Sequence, residues 1–403
     1  MFNGTGGETV SLASLFLFSL PTAAVVLGLR EKNSVSKQIS AIKYRINVNG
    51  TRGKSTVTRL LVGALLEAGI PTVGKVTGSK SCLLSFKPSQ TQLIAEEKEL
   101  ARRPEGPNIS EIKYAVKAAF QNKAQALVAE CMAINPDYQK IYSLGYLKSN
   151  ITIVTNVLED HLEILGPSLQ DMAESFMSAV PKNSTLVVCP GEFLNYFLKA
   201  ASLKEVDVKV ADPSSVPMEY CEKFPYPVFP ENVALALETA LALGANEEVA
   251  LAGMLKAFPD SGAIRFQKIK GRAGEGVLIN AFSANDPTTT MAIWNYLKEK
   301  RHVNQGTTIL MNCRNDRVER GRAFLKGVLK NIPTKSLVLI GEGTRFIFSK
   351  QKSLPYEEVV DLGGIAAKKV AFFLQERCKE KDVFFGIGNY FGVEKLCKEL
   401  EGG

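Results

Sequence analysis

Apolar residues cluster along the chain in short runs of strand length, and longer amphipathic stretches separate these runs. In the first half the apolar runs are residues 45–49, 72–76, 126–130, 151–157 and 186–189. Helical patterns fall between them, for example at residues 56–68 and 111–121. Such alternation is typical of β-α units, in which helices connect neighbouring parallel strands. The pattern therefore predicts an α/β fold built on a parallel sheet.

A second alternating series begins after a break at residues 259–262, where Pro-Asp-Ser-Gly is typical of a linker. A helical pattern at residues 232–258 precedes this break. The later series predicts strands at 277–280, 308–313, 337–340 and 383–386, with helices at 288–300 and 365–379. We therefore expect an ATPase-type domain over residues 44–260 and a Rossmann-like domain over residues 261–403. Since ligands often bind between domains, the cleft between these two is the predicted site.

The polar segment at residues 80–107 interrupts the first series. It is rich in Glu, Lys and Arg and has no helical periodicity. Segments of this length and polarity between regular elements are usually exposed loops. We therefore predict a long surface insertion here.

The amino-terminal segment is strongly apolar. Residues 10–29 carry no charged side chain, and twenty helical residues match the ~30 Å hydrocarbon thickness of a bilayer. Basic residues follow this run, whereas only Glu8 precedes it, which predicts an external N-terminus and a cytoplasmic remainder. We predict a membrane anchor and linker over residues 1–43, hence a single-pass protein of the cell membrane. A cleaved signal peptide, which would need a basic start, and a buried helix are the alternatives.

Composition and charge narrow the possible classes. The 403 residues are 45% hydrophobic and 22% charged, as in ordinary globular proteins. The net charge of +8 favours anionic ligands, but no basic stripe with interleaved aromatic residues indicates nucleic-acid binding. Seven scattered cysteines without a C-x-x-C pair indicate a reducing compartment. With His161 and His302 as the only histidines, a zinc site built on several histidines is excluded.

A glycine-containing loop joins the first predicted strand to the first predicted helix. It consists of Gly50, Thr51, Arg52, Gly53, Lys54, Ser55 and Thr56. A strand, such a loop and a helix in this order form a phosphate-binding loop, or P-loop. Backbone N–H groups approach phosphate oxygens there, Lys54 can reach the β and γ phosphates of ATP, and Ser55 can bind Mg²⁺. One departure from the usual pattern is Val48, where a glycine is expected.

Polar residues follow the next two predicted strands. Glu130 ends the strand at 126–130, and the sequence Thr-Asn-Val-Leu-Glu-Asp-His-Leu at 155–162 follows the strand after it. A carboxylate at a strand end beside a P-loop is typical of a magnesium ligand. We therefore predict Glu130 as a metal-binding acid and His161 as a functional rather than structural histidine.

The loop form G-T-x-G-K-[ST]-[ST], without an earlier glycine, resembles that of Mur-type ligases. The resemblance extends as ordered motifs from about residue 44 to the C-terminus. It implies that ATP phosphorylates a carboxylate and that an amine then attacks the acyl phosphate. It further implies that Ser55 and Glu130 hold one Mg²⁺, that His161 holds a second metal, and that Asn232 and Arg265 contact the nucleotide. Lys54, Glu130 and His161 are then the catalytic candidates.

Within these ligases, several stretches resemble the ligase subunits of bacterial poly-γ-glutamate synthases. They are residues 47–60, 105–109, 130–139, 156–161 and 311–317. An N-terminal anchor in place of a nucleotide-sugar-binding domain is also a feature of that group. The resemblance implies glutamate and a poly-γ-glutamate chain as substrates and small membrane subunits of the same synthase as partners. A homo-oligomer is a further expectation.

Two positions depart from the ligase pattern. Many Mur ligases have a carbamylated lysine about fifteen residues after the Asp-His pair, where this chain has Glu174. We hypothesise that Glu174, on a helix at 169–180, supplies a carboxylate directly. The sequence around Asn285 and Asp286 only loosely resembles the family's D-x-A-H-N-P turn. Two alternatives stay open: a membrane-tethered ATPase that energises polymer assembly or export, and a ligase of the folylpolyglutamate synthase type.

Overall fold

Two β-sheets, each flanked by helices, follow one another along the chain. The structure is a computed structural model that describes residues 12–78, 81–89, 93–101, 108–159, 162–260 and 263–401. We call the part that contains the first sheet, up to residue 260, the first unit, and the part from residue 263 the second unit.

The first sheet has eight strands in the order β4-β3-β2-β5-β1-β6-β7-β8. Its strands are β1 Tyr44–Asn49, β2 Thr72–Val76, β3 Cys82–Pro88, β4 Leu93–Glu99, β5 Ala126–Glu130, β6 Ile151–Val154, β7 Thr185–Val188 and β8 Asp207–Val210. The pairs β2–β3 and β3–β4 are antiparallel, and the other pairs are parallel.

The second sheet has six strands in the order β13-β12-β11-β14-β10-β9, and only its β9–β10 pair is antiparallel. Its strands are β9 Arg265–Gly271, β10 Gly274–Asn280, β11 Thr308–Asn312, β12 Ser336–Ile340, β13 Glu358–Gly363 and β14 Val383–Ile387. The α/β class predicted from the apolar pattern is therefore confirmed, with sheets dominated by parallel pairing.

The helices connect the strands and cover the sheets. They are α1 Leu12–Ser40, α2 Lys54–Glu67, α3 Ile112–Gln121, α4 Pro136–Lys140, α5 Leu162–Leu165, α6 Leu169–Ser178, α7 Leu194–Ser202, α8 Met218–Cys221, α9 Pro230–Ala242, α10 Glu247–Leu255, α11 Pro287–Glu299, α12 Val318–Phe324, α13 Arg345–Phe348, α14 Ala367–Arg377 and α15 Val393–Glu401. Two hydrophobic clusters lie on each sheet, so each sheet is covered on both faces, as parallel sheets require.

Helix α2, which follows the P-loop, is fixed by burial. Leu60, Leu61 and Leu65 are fully buried in the first core, and each contributes about 1.5–3 kcal/mol relative to an exposed side chain. Gly63 allows α10 to approach closely, since a Cβ at this position would lie 2.5 Å from the carbonyl oxygen of Gly253. The start of α2, and with it the P-loop, therefore has a rigid support.

The predicted surface insertion at 80–107 is wrong over much of its length. Residues 82–99 form the antiparallel hairpin of β3 and β4, which extends the first sheet. Cys82, Leu84 and Phe86 are buried and alternate with more exposed residues, which is the period of a strand. The glutamates that suggested a loop lie on β4, an edge strand, where charged side chains are common.

The helical stretch at 232–258 is also corrected, because it consists of two helices, α9 and α10. Gly244 lies between them with φ of 91°, a left-handed conformation that ends a helix. Asn246 then caps α10 by accepting a hydrogen bond from the backbone N–H of Val249 at 3.3 Å.

The predicted membrane span at residues 10–29 is not confirmed. Helix α1 covers most of that range, but no helix in the described part of the chain combines the length and apolar content needed to cross a bilayer. Residues 10 and 11 lie outside the described residues. The other end of α1 is attached to the first unit: Ile39 is fully buried, and Lys113 forms an ion pair with Glu31 at 2.7 Å.

Candidate active site

The P-loop lies between β1 and α2 and requires glycine at two positions. Gly50 and Gly53 have φ of 114° and 84°, a region that side chains disfavour. A Cβ on Gly50 would collide with Thr155, and a Cβ on Gly53 would lie 2.5 Å from the side-chain oxygen of Asn232. The glycine spacing thus reflects close approach of two other segments to the loop.

The segment after β6 holds the other side of the loop. Asn156 accepts from the backbone N–H of Arg52 at 2.9 Å and donates to its carbonyl at 3.2 Å. The Thr51 hydroxyl lies 3.1 Å from both the carbonyl and the N–H of Leu158. Within the predicted motif at 155–162, Asn156 and Leu158 therefore hydrogen-bond to the P-loop. Its Asp160 and His161 lie outside the described residues.

Lys54 points back over the loop. Its ammonium donates to the carbonyl oxygens of Gly50 at 2.7 Å and Thr51 at 3.0 Å. The loop thus places a positive charge among the backbone groups predicted to surround a phosphate.

Ser55 and Glu130 are brought together as predicted. The Ser55 hydroxyl donates to Glu130 Oε2 at 2.8 Å, and the backbone N–H of Thr77 donates to the same oxygen at 2.6 Å. Glu130 is only 5% exposed, and its carbonyl accepts from the Tyr142 hydroxyl at 2.8 Å. Burial raises the pKa of Tyr142 well above its ordinary value, so this phenol stays a donor. One carboxylate oxygen of Glu130 therefore accepts two hydrogen bonds, and the backbone of the same residue accepts a third.

These oxygen atoms fit a hard divalent cation. Mg²⁺ is usually held by one or two carboxylates, a hydroxyl, waters and the phosphates of a nucleotide. Ser55 and Glu130 provide the protein part of such a set, with their oxygens already 2.8 Å apart. Among the described residues no cluster of three or more His, Cys, Asp or Glu could hold a metal by itself. The donor set thus suits an ion that is shared with a phosphate.

Asp260 is a site residue that the sequence reasoning missed. A Cβ on Gly78 would lie 2.7 Å from Ser55 Oγ and 2.9 Å from Asp260 Oδ2. Both oxygens therefore lie close to Gly78. Asp260 also lies on the wall of the cavity described below. In the sequence it belonged only to the linker, and nothing in its neighbours indicated that the linker passes over the P-loop.

A cavity of about 1190 Å³ opens over the P-loop and is lined by both units. The predicted loop lies on its wall from Thr51 to Thr56, without Gly50, together with Glu130 and Asn232. The second unit contributes Ser283, Asn285 and several arginines. The predicted cleft between the two units is therefore present.

Two predicted residues lie away from this wall. Arg265 is exposed at the start of β9 and is not among the lining residues. Tyr390 does line the cavity; burial raises its pKa, and the positive charge of Arg265 opposes this shift. Glu174 is exposed on α6, accepts from Gln170 at 3.0 Å, and raises the pKa of Tyr196 by its negative charge. Burial is the larger cause of both tyrosine shifts. The predicted roles of Arg265 and Glu174 stay predictions.

An ion pair links the P-loop to the second unit. Arg52 lies 3.0 Å from Asp286 Oδ2, and both side chains are mostly buried. Asp286 is also the N-cap of α11, because it accepts from the backbone N–H of Thr289 at 2.8 Å. The contact therefore joins the nucleotide loop to the first turn of a helix in the other unit.

Comparison with known proteins places both units in known families. The family model described as "Mur ligase middle domain" matches residues 48–212. The model described as "Poly-gamma-glutamate synthase CapB C-terminal domain" matches residues 266–403. The two matches lie on the two units, one on each side of the linker.

Similar proteins cover nearly the whole chain. The "PGA synthase CapB" of Bacillus subtilis is 40% identical over 93% of this chain and 95% of its own length. The "Capsule biosynthesis protein CapB" of Bacillus anthracis is 38% identical over 94% and 81%. A solved bifunctional folylpolyglutamate synthase/dihydrofolate synthase of Yersinia pestis, complexed with AMPPNP and Mn ion, superposes with a TM-score of 0.64. It covers 93% of each chain at 14% identity, which indicates a shared fold.

We expect the Arg52–Asp286 pair to couple the units energetically. Arg52→Gln and Asp286→Asn should each lower the free energy of unfolding, and the double variant should lose about 0.5–1 kcal/mol less than the sum of the single variants. Asparagine keeps the helix cap, so the cycle isolates the charge. Urea denaturation provides the measurement. The exposed pair Arg322–Glu319 is the control, and a coupling no larger than in this control would contradict the assignment.

Proposed function

The chain belongs to the CapB family of the Mur ligases, and we propose that it is an ATP-dependent carboxylate–amine ligase that extends poly-γ-glutamate. The Ser55–Glu130 pair carries this proposal, because it lies beside the P-loop on the wall of a cavity shared by two units. A nucleotide site that needs only to hydrolyse ATP does not require a second unit with polar groups over the phosphates. A ligase does, since it must hold a carboxylate and an amine next to ATP.

The reaction has two balanced steps. A carboxylate oxygen of the donor attacks the γ-phosphorus of ATP, which forms an acyl phosphate and releases ADP. The amine of the acceptor then attacks the acyl carbon, loses a proton, and displaces inorganic phosphate to leave an amide. Both steps join or separate anions, so charge compensation is the main task of the protein.

The residues of the loop perform this task. Lys54 exchanges the carbonyls of Gly50 and Thr51 for the β and γ oxygens of ATP and neutralises the charge that develops there. The backbone N–H groups at the start of α2 face the phosphates. Asn232, whose side chain approaches Gly53, orients the nucleotide from the other side of the loop.

Ser55 and Glu130 are the residues that would hold Mg²⁺, with Asp260 near enough to add a second carboxylate. A divalent cation supplies further neutralisation of the phosphate oxygens and of the attacking carboxylate. The family resemblance assigns His161 to a second metal, and this role stays a prediction.

Glutamate incorporation tests the function. Lys54→Ala should reduce ADP release and glutamate incorporation at least about 100-fold, because it removes the cation on the transferred phosphate. The measurement uses membranes with ATP, Mg²⁺ and labelled D- or L-glutamate, with the exposed Lys330→Ala as the matched control. Wild type should release one ADP for each glutamate incorporated. ATP hydrolysis without incorporation would instead support the ATPase alternative, and incorporation that needs a folate would support the folylpolyglutamate type.

Glu174 is proposed to replace the carbamylated lysine of other Mur ligases. Glu174 lies on α6, close enough to Tyr196 of α7 to affect its pKa. Two other residues of α7, Leu194 and Phe197, line the cavity. Glu174→Gln should therefore raise the Mg²⁺ concentration for half-maximal activity about tenfold, since a carboxylate near the metal is lost. The matched control is Glu205→Gln, which removes an exposed carboxylate outside the cavity lining. Unchanged Mg²⁺ dependence and turnover would eliminate this role.

We further propose that the catalytic units face the cytoplasm at the cell membrane. In α1 the apolar side chains of Val25, Leu27 and Leu29 are more than half exposed, which is unfavourable in water. Alkaline carbonate treatment should leave the full-length protein in the membrane pellet, and its release as a soluble species would contradict an anchor. Small membrane subunits and a second copy of the chain stay predicted partners.

A further inference from the structure

Among the described residues that line the cavity, the first unit contributes both acidic side chains and the basic Arg52 and Lys54, whereas the charged side chains of the second unit are all basic. The acidic lining residues among the described parts of the chain, Glu130, Glu192, Glu231 and Asp260, all belong to the first unit. The charged residues that the second unit contributes there are Arg314, Arg317 and Arg320. The charged side chains that a ligand meets on the wall of the second unit are therefore all positive, which favours an anion.

The three arginines follow β11 at its carboxyl end. Arg317 ends a short 3₁₀ turn, Arg320 lies three residues later in α12, and both residues line the cavity. The same residues also border a second, small cavity of about 20 Å³ next to Asn312 and Asn389. The three arginines therefore border both cavities.

Arg314 is held in a fixed orientation. Its guanidinium makes two hydrogen bonds to Asp316, at 2.8 and 2.5 Å, and lies 4.9 Å from the ring centroid of Phe391. The bonds from Arg314 lower the pKa of Asp316. Asn312 ties this region together by donating to the carbonyls of Asn389 at 2.7 Å and Phe391 at 2.9 Å. These contacts preorganise the wall before any ligand binds.

We propose that Arg314, Arg317 and Arg320, which we call the arginine wall, bind the γ-linked glutamate chain that has already been made. The wall contacts the α-carboxylates of several glutamate residues of that chain at once. The proposal rests on the function proposed above. Each γ-linked unit uses its γ-carboxyl in the amide and keeps one free α-carboxylate, so the product is a regular polyanion. A guanidinium fork matches a carboxylate, so Arg317 and Arg320 can each take one carboxylate of the chain, while Arg314, whose fork is bonded to Asp316, forms a fixed edge of the wall.

Such binding keeps the polymer beside the P-loop between cycles. Each arginine–carboxylate contact at a partly exposed surface is weak, but several contacts on one chain add as a multivalent interaction. The affinity should therefore rise with oligomer length and fall with salt, whereas free glutamate should gain little. The arginine wall therefore favours long glutamate chains as substrates and takes no part in the bond-forming steps.

The test measures binding of γ-linked glutamate oligomers to the full-length protein without ATP. The variant R317Q/R320Q should bind a ten-unit oligomer about tenfold more weakly than wild type, while its affinity for ADP stays within about twofold. The matched control is K268Q/K270Q, which removes two positive charges from exposed positions of β9, outside the cavity lining. R317K/R320K keeps both charges but loses the two guanidinium forks, so its affinity should lie between that of wild type and that of the glutamine pair.

Several results would overturn the proposal. They are equal weakening by the β9 control, an R317K/R320K loss as large as that of the glutamine pair, an equal loss of ADP affinity, and no length dependence in wild type. The binding test is independent of turnover. A protein that binds oligomers as expected but incorporates no glutamate would refute the ligase function and leave the binding wall in place.

Discussion

The parallel register of three central strands is the constraint on which the rest of the structure depends. β1 pairs with β5 on one side, with Val48 opposite Glu130, and with β6 on the other, with Asn49 opposite Val154. Parallel pairing brings the carboxyl ends of all three to one edge, so the P-loop, Glu130 and the segment after Val154 must meet there. The strands are buried on both faces, which makes a shift of this register costly.

The linker and the second unit supply further walls of the cavity at this edge. The linker brings Asp260 next to Ser55, and Asp286 reaches Arg52 in the P-loop. Both contacts place acidic groups of later segments beside basic or polar groups of the loop. The arginines of the second unit line the same cavity, so basic side chains face it from both units, while the acidic ones among the described lining residues come from the first unit. A site of this kind suits a reaction in which several anions must be held together.

Elements with a clear period were predictable to within a few residues. The strands at 72–76 and 126–130 agree with β2 and β5 at both ends, because their apolar runs are fully buried. The hairpin of β3 and β4 was not predictable in this way. The outer strand, β4, is largely exposed and carries many charged residues. Its alternation of apolar and polar residues is therefore too weak to predict a strand. The break between α9 and α10 was visible as Gly244, but a single glycine does not settle a helix end.

The sequence by itself determined the fold class, the P-loop and the Ser55–Glu130 pair, because local order and parallel pairing are enough to bring these groups together. Only the tertiary structure decided which distant residues reach the loop. The path of the linker places Asp260 next to Ser55. Arg265 and Glu174 lie outside the cavity lining, and this too was visible only in the tertiary structure. The positions of side chains from separate segments depend on how the two units pack, and no local pattern encodes that packing.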